Sequence, residues 1–148
     1  MVKLSMNGET NLQLLLQNMS PVLHSDVYVF LTLPNFSTND LGNYKILEPL
    51  MTFKEREGLT LIVLKQNVIE YNKNHKLQLD VGEEFKCITL KVHSSLNAVG
   101  LTAAVSAKLA KVQISANVVA AFYHDHIFIP AIDAERAVKA LYEFKKDL

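Results

Sequence analysis

The order of hydrophobic patterns in the second half of the chain is the feature that most restricts its fold. Residues 85–92 alternate, with Ile88 and Leu90 on one side, which is typical of a half-buried strand. Four further patterns predict a helix, two strands and a last helix, at residues 101–112, 114–123, 127–130 and 134–144. Hairpin-joined strands mixed with helices predict an α+β fold, with the helices on one face of an antiparallel sheet.

The first half of the chain repeats this order more weakly. Apolar residues from Leu12 to Met19 recur at helical spacing, Thr10 has the position of a helix cap, and Pro21 predicts the end of the helix. Two strands and a short helix are then predicted, at residues 27–33, 59–65 and 67–72. The halves form a weak repeat of architecture, and we divide the chain into units at residues 1–80 and 81–148.

Composition excludes several classes of partner. The 148 residues carry 15 basic and 15 acidic side chains, so no positive excess is present to neutralise nucleic acid or an anionic membrane. Cys87 is the only cysteine, which rules out an internal disulfide and fits a small buried side chain. Because no signal peptide or membrane-length apolar run is present, we expect a soluble, cytoplasmic protein.

The sequence contains none of the common catalytic motifs. It has no glycine-rich phosphate loop, no nucleophile elbow, no paired-histidine zinc motif and no Cys-x-x-Cys pair. The adjacent carboxylates of Glu83 and Glu84 would diverge on a strand. We therefore expect a protein that is not an enzyme and needs no cofactor.

Three segments of the chain resemble a known family. The stretch VHSSLNAVGLTAAVSAKLAKVQIS at residues 92–115 is similar to the core of an ACT domain, in which a strand ends in a loop and a glycine opens a helix. TFKEREGLT at residues 52–60 and NVVAAFYHDHIFIP at residues 117–130 add a resemblance to small bacterial tandem ACT-domain proteins of uncharacterised function.

The resemblance implies a fold and a type of function. It implies two ferredoxin-like βαββαβ units and a regulatory or sensor protein that binds a small ligand such as an amino acid, as a homodimer. One feature departs from the family pattern, because the chain ends in a helix and the second unit lacks its last strand. We expect the units either to share the strand at residues 85–92 or to exchange strands.

The loop from residue 93 to Gly100 is the main candidate binding site. A loop that enters a helix presents free N–H groups, which together with the helix dipole favour a carboxylate. The alternative is that Ser95 or Asn97 only caps the helix. With the resemblance, the predicted ligand-binding residues are Ser94, Ser95, Asn97, Val99, Gly100, Leu101, Thr102, Ser115, Asn117, His124 and His126.

The sequence His-Asp-His at residues 124–126 has three interpretations. A short Asp-containing segment between strands first predicts a hairpin turn. His124 and His126 could contribute to a ligand site or a subunit contact, and a metal site would need a further ligand such as His93. We predict no metal. The alternatives to a sensor are an interaction module without a small ligand and, more remotely, a metal-dependent enzyme.

Overall fold

The computed structural model describes residues 11–34, 44–76, 78–92, 94 and 98–146. This part of the chain contains four α-helices: α1 (Leu12–Asn18), α2 (Lys65–Asn74), α3 (Leu101–Lys111) and α4 (Ala134–Tyr142). It also contains seven strands: β1 (Ser20–Leu23), β2 (Tyr28–Pro34), β3 (Met51–Lys54), β4 (Gly58–Leu64), β5 (Glu84–Lys91), β6 (Asn117–Ala120) and β7 (Asp125–Pro130). None of the helices described here has the length and apolarity that a membrane crossing requires.

Contacts divide the described residues into two compact units. Unit 1 contains the residues up to His24 and those from Lys86 onward, and unit 2 contains residues 25–85. The predicted units, 1–80 and 81–148, divide the chain by its sequence repeat rather than by contacts, and they remain a prediction.

Unit 2 is built on the strand order β3-β4-β2, followed by the first residues of β5. β2 and β4 are antiparallel over their whole length, from Tyr28 opposite Leu64 to Pro34 opposite Gly58. The pairing of β2 with β5 involves Glu84 and Phe85. Apolar residues of β2 and β4 bury one face against α2 and the 3-10 turn Tyr44–Leu47; the buried set is Val29, Leu31, Leu47, Leu59, Leu61, Val63 and Val68.

Unit 1 has the order β1-β5-β7-β6, and its end strand comes from the start of the chain. β1 pairs antiparallel with β5, from Ser20 opposite Lys91 to Leu23 opposite Ile88. β1 thus supplies the strand that the predicted second unit, residues 81–148, lacks. The predicted α+β fold with an antiparallel sheet is confirmed. Of the two expected ways to complete the second unit, the structure has features of both: β5 has pairing partners in both units, and β1 comes from the first half of the chain.

The core of unit 1 lies between the sheet and its helices. α4 has the burial pattern of an amphipathic helix: Ala137 and Leu141 are fully buried at i and i+4, whereas Glu135 and Lys139 are exposed. In α3 the buried residues are Leu101, Val105 and Leu109, at i, i+4 and i+8, whereas Val112 lies at the C-cap and is 40% exposed. The buried set is Leu15, Met19, Ile88, Leu90, Leu101, Val105, Leu109, Ile114, Ile127, Ile129, Ala137, Ala140 and Leu141.

Several predicted element boundaries were wrong. Strands β1 and β3 were missed because each has only four residues and β1 contains Pro21. The cap of α1 is Asn11, whose side chain accepts from the Leu14 N–H at 3.2 Å, and Thr10 lies outside the described residues. Asp133 occupies the N-cap of α4 but makes no capping hydrogen bond with its side chain.

The His-Asp-His segment also differs from its prediction as a turn. The predicted strand 114–123 is shorter, since β6 ends at Ala120, and the turn precedes the Asp residue. The Ala121 N–H donates to the His124 carbonyl at 3.1 Å, which closes the turn. Asp125 and His126 are the first residues of β7, so their side chains point to opposite faces of the sheet.

Candidate functional site

Helix α3 begins at a glycine with a left-handed backbone. Gly100 is the N-cap, with φ of 101° and ψ of −15°. A side chain is disfavoured there twice, because the backbone is left-handed and a Cβ would lie 3.0 Å from Leu12 Cδ2 of α1. Glycine at this position thus lets the chain turn sharply into α3 while α1 packs close by.

The first N–H groups of α3 lie before its first intrahelical hydrogen bond. The first intrahelical bond runs from the Ala104 N–H to the Gly100 carbonyl at 2.9 Å, so the N–H groups of residues 101–103 precede it. The N-cap provides no side-chain capping bond, and the first turn contains no acidic residue. This helix end can therefore accept a carboxylate without a competing negative charge in the same turn.

The predicted loop residues differ in what they can contribute. Val99 is 84% exposed and Thr102 is exposed, whereas the Leu101 side chain is buried in the unit 1 core and can offer only its backbone. Ser94 is half-buried, and its N–H donates to the Val92 carbonyl at 3.0 Å. His93, Ser95 and Asn97 lie outside the described residues.

The remaining predicted residues lie on or beside the β6–β7 hairpin. Asn117 is opposite Phe128, and Val119 is opposite His126. The Asn117 amide donates to the Phe128 carbonyl at 3.2 Å, and Ser115 is exposed just before the strand. Since Ile127 and Ile129 face the helices, His126 lies on the other face of the sheet. The predicted residues therefore divide into two groups. One is at the start of α3, where Leu101 packs in the helix-covered core, and the other, with Asn117 and His126, lies on the opposite face of the sheet.

His126 belongs to a polar chain that the sequence did not predict. Thr89 Oγ1 is 2.9 Å from His126 Nδ1 and 2.7 Å from His24 Nε2. Thr89 is only 7% exposed, while His24 is exposed. The alternation of β5 places Thr89 on the face opposite Ile88 and Leu90, and this was the signal available in the sequence. The contact with His24 depends on strand β1, which was missed.

Burial and neighbouring charges shift the protonation of this cluster. Burial, His124 and His24 lower the pKa of His126 from its ordinary value, and Asp125 acts against them. Burial raises the pKa of Asp125, opposed by His126 and His124. Burial also raises the pKa of Cys87 to about 11, so the thiol is protonated and unreactive at neutral pH. This agrees with the interpretation of Cys87 as a small buried side chain.

The histidines do not form a metal centre within the described residues. The ring centroids of His124 and His126 are 6.4 Å apart. In the described ranges, no three His, Cys, Asp or Glu side chains are arranged so that they could hold a metal ion. His93, the suggested third ligand, is outside those ranges, so the absence of a metal remains a prediction.

Unit 2 carries a separate groove of about 430 Å³ between the 3-10 turn and α2. The Asn67 amide donates to the Leu47 carbonyl at 3.0 Å, which fixes the turn on the helix. Tyr71 and His75 stack with ring centroids 3.9 Å apart and form part of one wall. The lining residues are Ile46, Glu48, Asn67, Glu70, Tyr71, Asn74 and His75. None of the predicted ligand-binding residues lies here.

Comparison with protein families gives two matches, each described as an ACT domain. One covers residues 7–73 and the other covers residues 83–143. No curated protein matches the chain.

Solved structures extend this result. A Vibrio cholerae protein of unknown function, described as a possible transport protein, is 46% identical with a TM-score of 0.74; the match covers 90% of this chain and 95% of that protein. The regulatory subunit of aspartate kinase from Thermus flavus is 12% identical with a TM-score of 0.62, over 84% and 96% of the two chains. Aspartate kinase from Clostridium acetobutylicum is 11% identical with a TM-score of 0.65, over 95% of this chain and 36% of the enzyme. The two distant structures share the fold.

Proposed function

Because the chain belongs to the ACT-domain family, whose members are typically amino-acid-binding regulatory domains, we propose that it senses a small amino acid or a related carboxylate. The ligand binds where the loop enters α3. The observation that carries this proposal is the helix start itself, where Gly100 leaves no side chain in the way and no acidic residue occupies the first turn.

Each part of the ligand has a matching group. N–H groups of residues 101–103 receive the carboxylate, because they lie before the first intrahelical bond. The Thr102 hydroxyl is exposed at the same turn. Ser94, and with it Ser95 and Asn97 from the sequence prediction, would select the amino group. The predicted ligand-binding residues of the β6–β7 hairpin, Asn117, Ser115, His124 and His126, stay a prediction from the sequence, and the site proposed at the start of α3 does not depend on them.

ACT regulatory domains are generally non-catalytic, and we propose the same of this chain. We also propose that it works in the cytoplasm as a homodimer, with no cofactor and no nucleic acid. Light scattering tests the homodimer, since a single monomeric mass at every dilution would contradict it.

The test is a thermal-shift screen of the twenty amino acids on the wild type and on two variants, Thr102→Asp and Gln66→Asp. A ligand that binds only the folded state at a hundredfold excess over its Kd adds about 2.7 kcal/mol, which raises the Tm by several degrees. Thr102→Asp places a carboxylate at the second position of α3, where it favours the helix but repels a ligand carboxylate. Gln66→Asp places the same charge at the second position of α2 and is the matched control.

The expected result is a shift in wild type and Gln66→Asp and none in Thr102→Asp. Gly100→Val is a poorer probe, since the left-handed backbone and Leu12 would also strain the fold. A shift that survives Thr102→Asp would place the ligand elsewhere. No shift with any amino acid would favour an interaction module without a small ligand.

A further inference from the structure

The polar chain His24–Thr89–His126 crosses three neighbouring strands of unit 1. His24 follows β1, Thr89 lies in the middle of β5, and His126 is in β7. The two hydrogen-bond distances to Thr89 Oγ1, 2.7 Å and 2.9 Å, are both short enough for good bonds. One buried hydroxyl thus joins two imidazole rings from opposite sides.

A backbone hydrogen bond holds His24 in place at the point where the polypeptide leaves unit 1. The His24 N–H donates to the Cys87 carbonyl at 2.9 Å, which extends the β1–β5 ladder by one residue. His24 is the last residue of the first segment of unit 1. Its ring reaches diagonally to Thr89, two residues beyond Cys87 on β5, and both therefore lie on the same face.

The charge of the two rings determines how each can bond to Thr89. A hydroxyl has one proton to donate and two lone pairs, while a neutral imidazole has one donor nitrogen and one acceptor. With at least one ring neutral, Thr89 can donate to one ring and accept from the other. When both rings are imidazolium, both can only donate; the two lone pairs of the hydroxyl can still accept both bonds, but two positive charges then flank the same buried oxygen and repel each other.

The described groups that act electrostatically on His126 come from two places. His124 and Asp125 are on its own hairpin, and His24 comes from the end of β1. Cys87, next to Thr89 on the same face of β5, is protonated and adds no charge. Two imidazoles and burial thus oppose a charge on His126, and Asp125 alone favours it.

We propose that His24, Thr89 and His126 form a proton-sensitive latch that is closed when no more than one ring is charged and opens when the second ring is protonated. Opening releases the His24 ring from Thr89 and loosens the end of β1 from β5. The device is independent of the proposed ligand site, because it lies on the opposite face of the sheet from the core in which Leu101 packs.

The direction of the effect on stability follows from proton binding. Since the folded state lowers the pKa of His126, the unfolded state binds more protons as the pH falls through the ordinary value of 6.5. Stability is therefore complete above that pH and is lost below it. The folded-to-unfolded ratio should therefore be smaller at pH 5.5 than at pH 7.5.

The test compares urea unfolding of the full chain at pH 7.5 and pH 5.5. His126→Asn keeps a donor near the position of Nδ1 but cannot be protonated, so most of the loss between the two pH values should disappear. His75→Asn is the matched control, since His75 Nδ1 contacts the Tyr71 carbonyl in unit 2, outside the latch. Asp125→Asn removes the group that favours a charged His126 and should make the loss steeper.

A second measurement separates a latch from simple packing. Proton NMR titration should show His126 titrating below its ordinary range in wild type and in Thr89→Ser, and closer to that range in His24→Asn, which removes one of the groups that oppose its charge. Amide exchange at His24, corrected for intrinsic rate, should accelerate at pH 5.5 in wild type and in Thr89→Ser but not in His126→Asn. The proposal would be overturned if His126→Asn lost the same stability at both pH values and kept the wild-type pH dependence.

Discussion

Units 1 and 2 have related strand orders but draw their strands from different parts of the chain. Unit 2 is continuous, from residue 25 to residue 85. Unit 1 needs β1, which pairs with a strand more than sixty residues later. It also needs α1 and its C-cap, because Leu15 and Met19 are almost fully buried in its core. One ACT unit is thus closed by local connections and the other by a distant segment.

This difference has a physical consequence for each unit. Closing a long loop costs chain entropy, which the contacts of the returning segment must offset. In unit 1 that compensation comes from the side chains of α1 and from the ladder between β1 and β5. In unit 2 the tight strand pairing of β2 with β4 carries more of the fold. Substitutions should therefore affect different features of the two units.

The largest effect is expected at Leu15, which is 0% exposed in the core of unit 1. Leu15→Ala should lower the free energy of unfolding by about 2–5 kcal/mol, as for other buried leucines, because a cavity remains. The neighbouring Leu14 is 43% exposed and provides a matched control, with an expected change within about 0.5 kcal/mol. Urea denaturation checks both; similar small losses would mean that α1 is not an integral part of unit 1.

A somewhat smaller effect is expected at Gly58 in unit 2. A Cβ there would lie 2.5 Å from the Leu33 carbonyl oxygen, on the strand paired with β4. Gly58→Ala should cost about 3 kcal/mol, since the backbone of one strand must move. At Gly82 an added Cβ meets nothing within 4 Å and only the left-handed φ of 53° opposes it, so Gly82→Ala should cost about 1 kcal/mol. Equal Tm values for the two variants would contradict this steric argument.

The third prediction requires no substitution, so stability is unchanged. It uses the reactivity of the Cys87 thiol to report on unit 1 alone. No other cysteine exists in the sequence, and Cys87 is 4% exposed. A rise in pKa from 9.0 to about 11 reduces the thiolate at pH 7.5 about a hundredfold, before burial slows access further. Alkylation of Cys87 by iodoacetamide should therefore be at least about a hundredfold slower in buffer than in urea. Rapid modification of the native protein would mean that unit 1 opens readily on the face that carries Thr89.

Comparing variants with this probe tests how separate the two units are. In Leu15→Ala the alkylation of Cys87 should accelerate, because the core of unit 1 is weakened directly. In Gly58→Ala it should accelerate less at equal loss of stability. Equal acceleration would show that the units unfold together.

Periodicity determined the elements that have a single buried face. Ala137 and Leu141 in α4, and Ile88 and Leu90 in β5, are buried as the sequence patterns predicted, because a helix or strand must bury its apolar side. The motifs at residues 52–60, 92–115 and 117–130 were enough to identify the ACT fold. The start of α3 at Leu101, behind Gly100, was also predicted correctly.

Tertiary structure decided the features that depend on distant partners. Pro21 argues against a strand locally, yet β1 forms because it pairs with β5 along the edge of unit 1. His24 and Thr89 have no pattern in common, and only the neighbouring positions of β1, β5 and β7 bring them to His126. Local sequence specifies which face of an element is buried, whereas strand order specifies which polar side chains meet, and that order is set by the contacts of the whole chain.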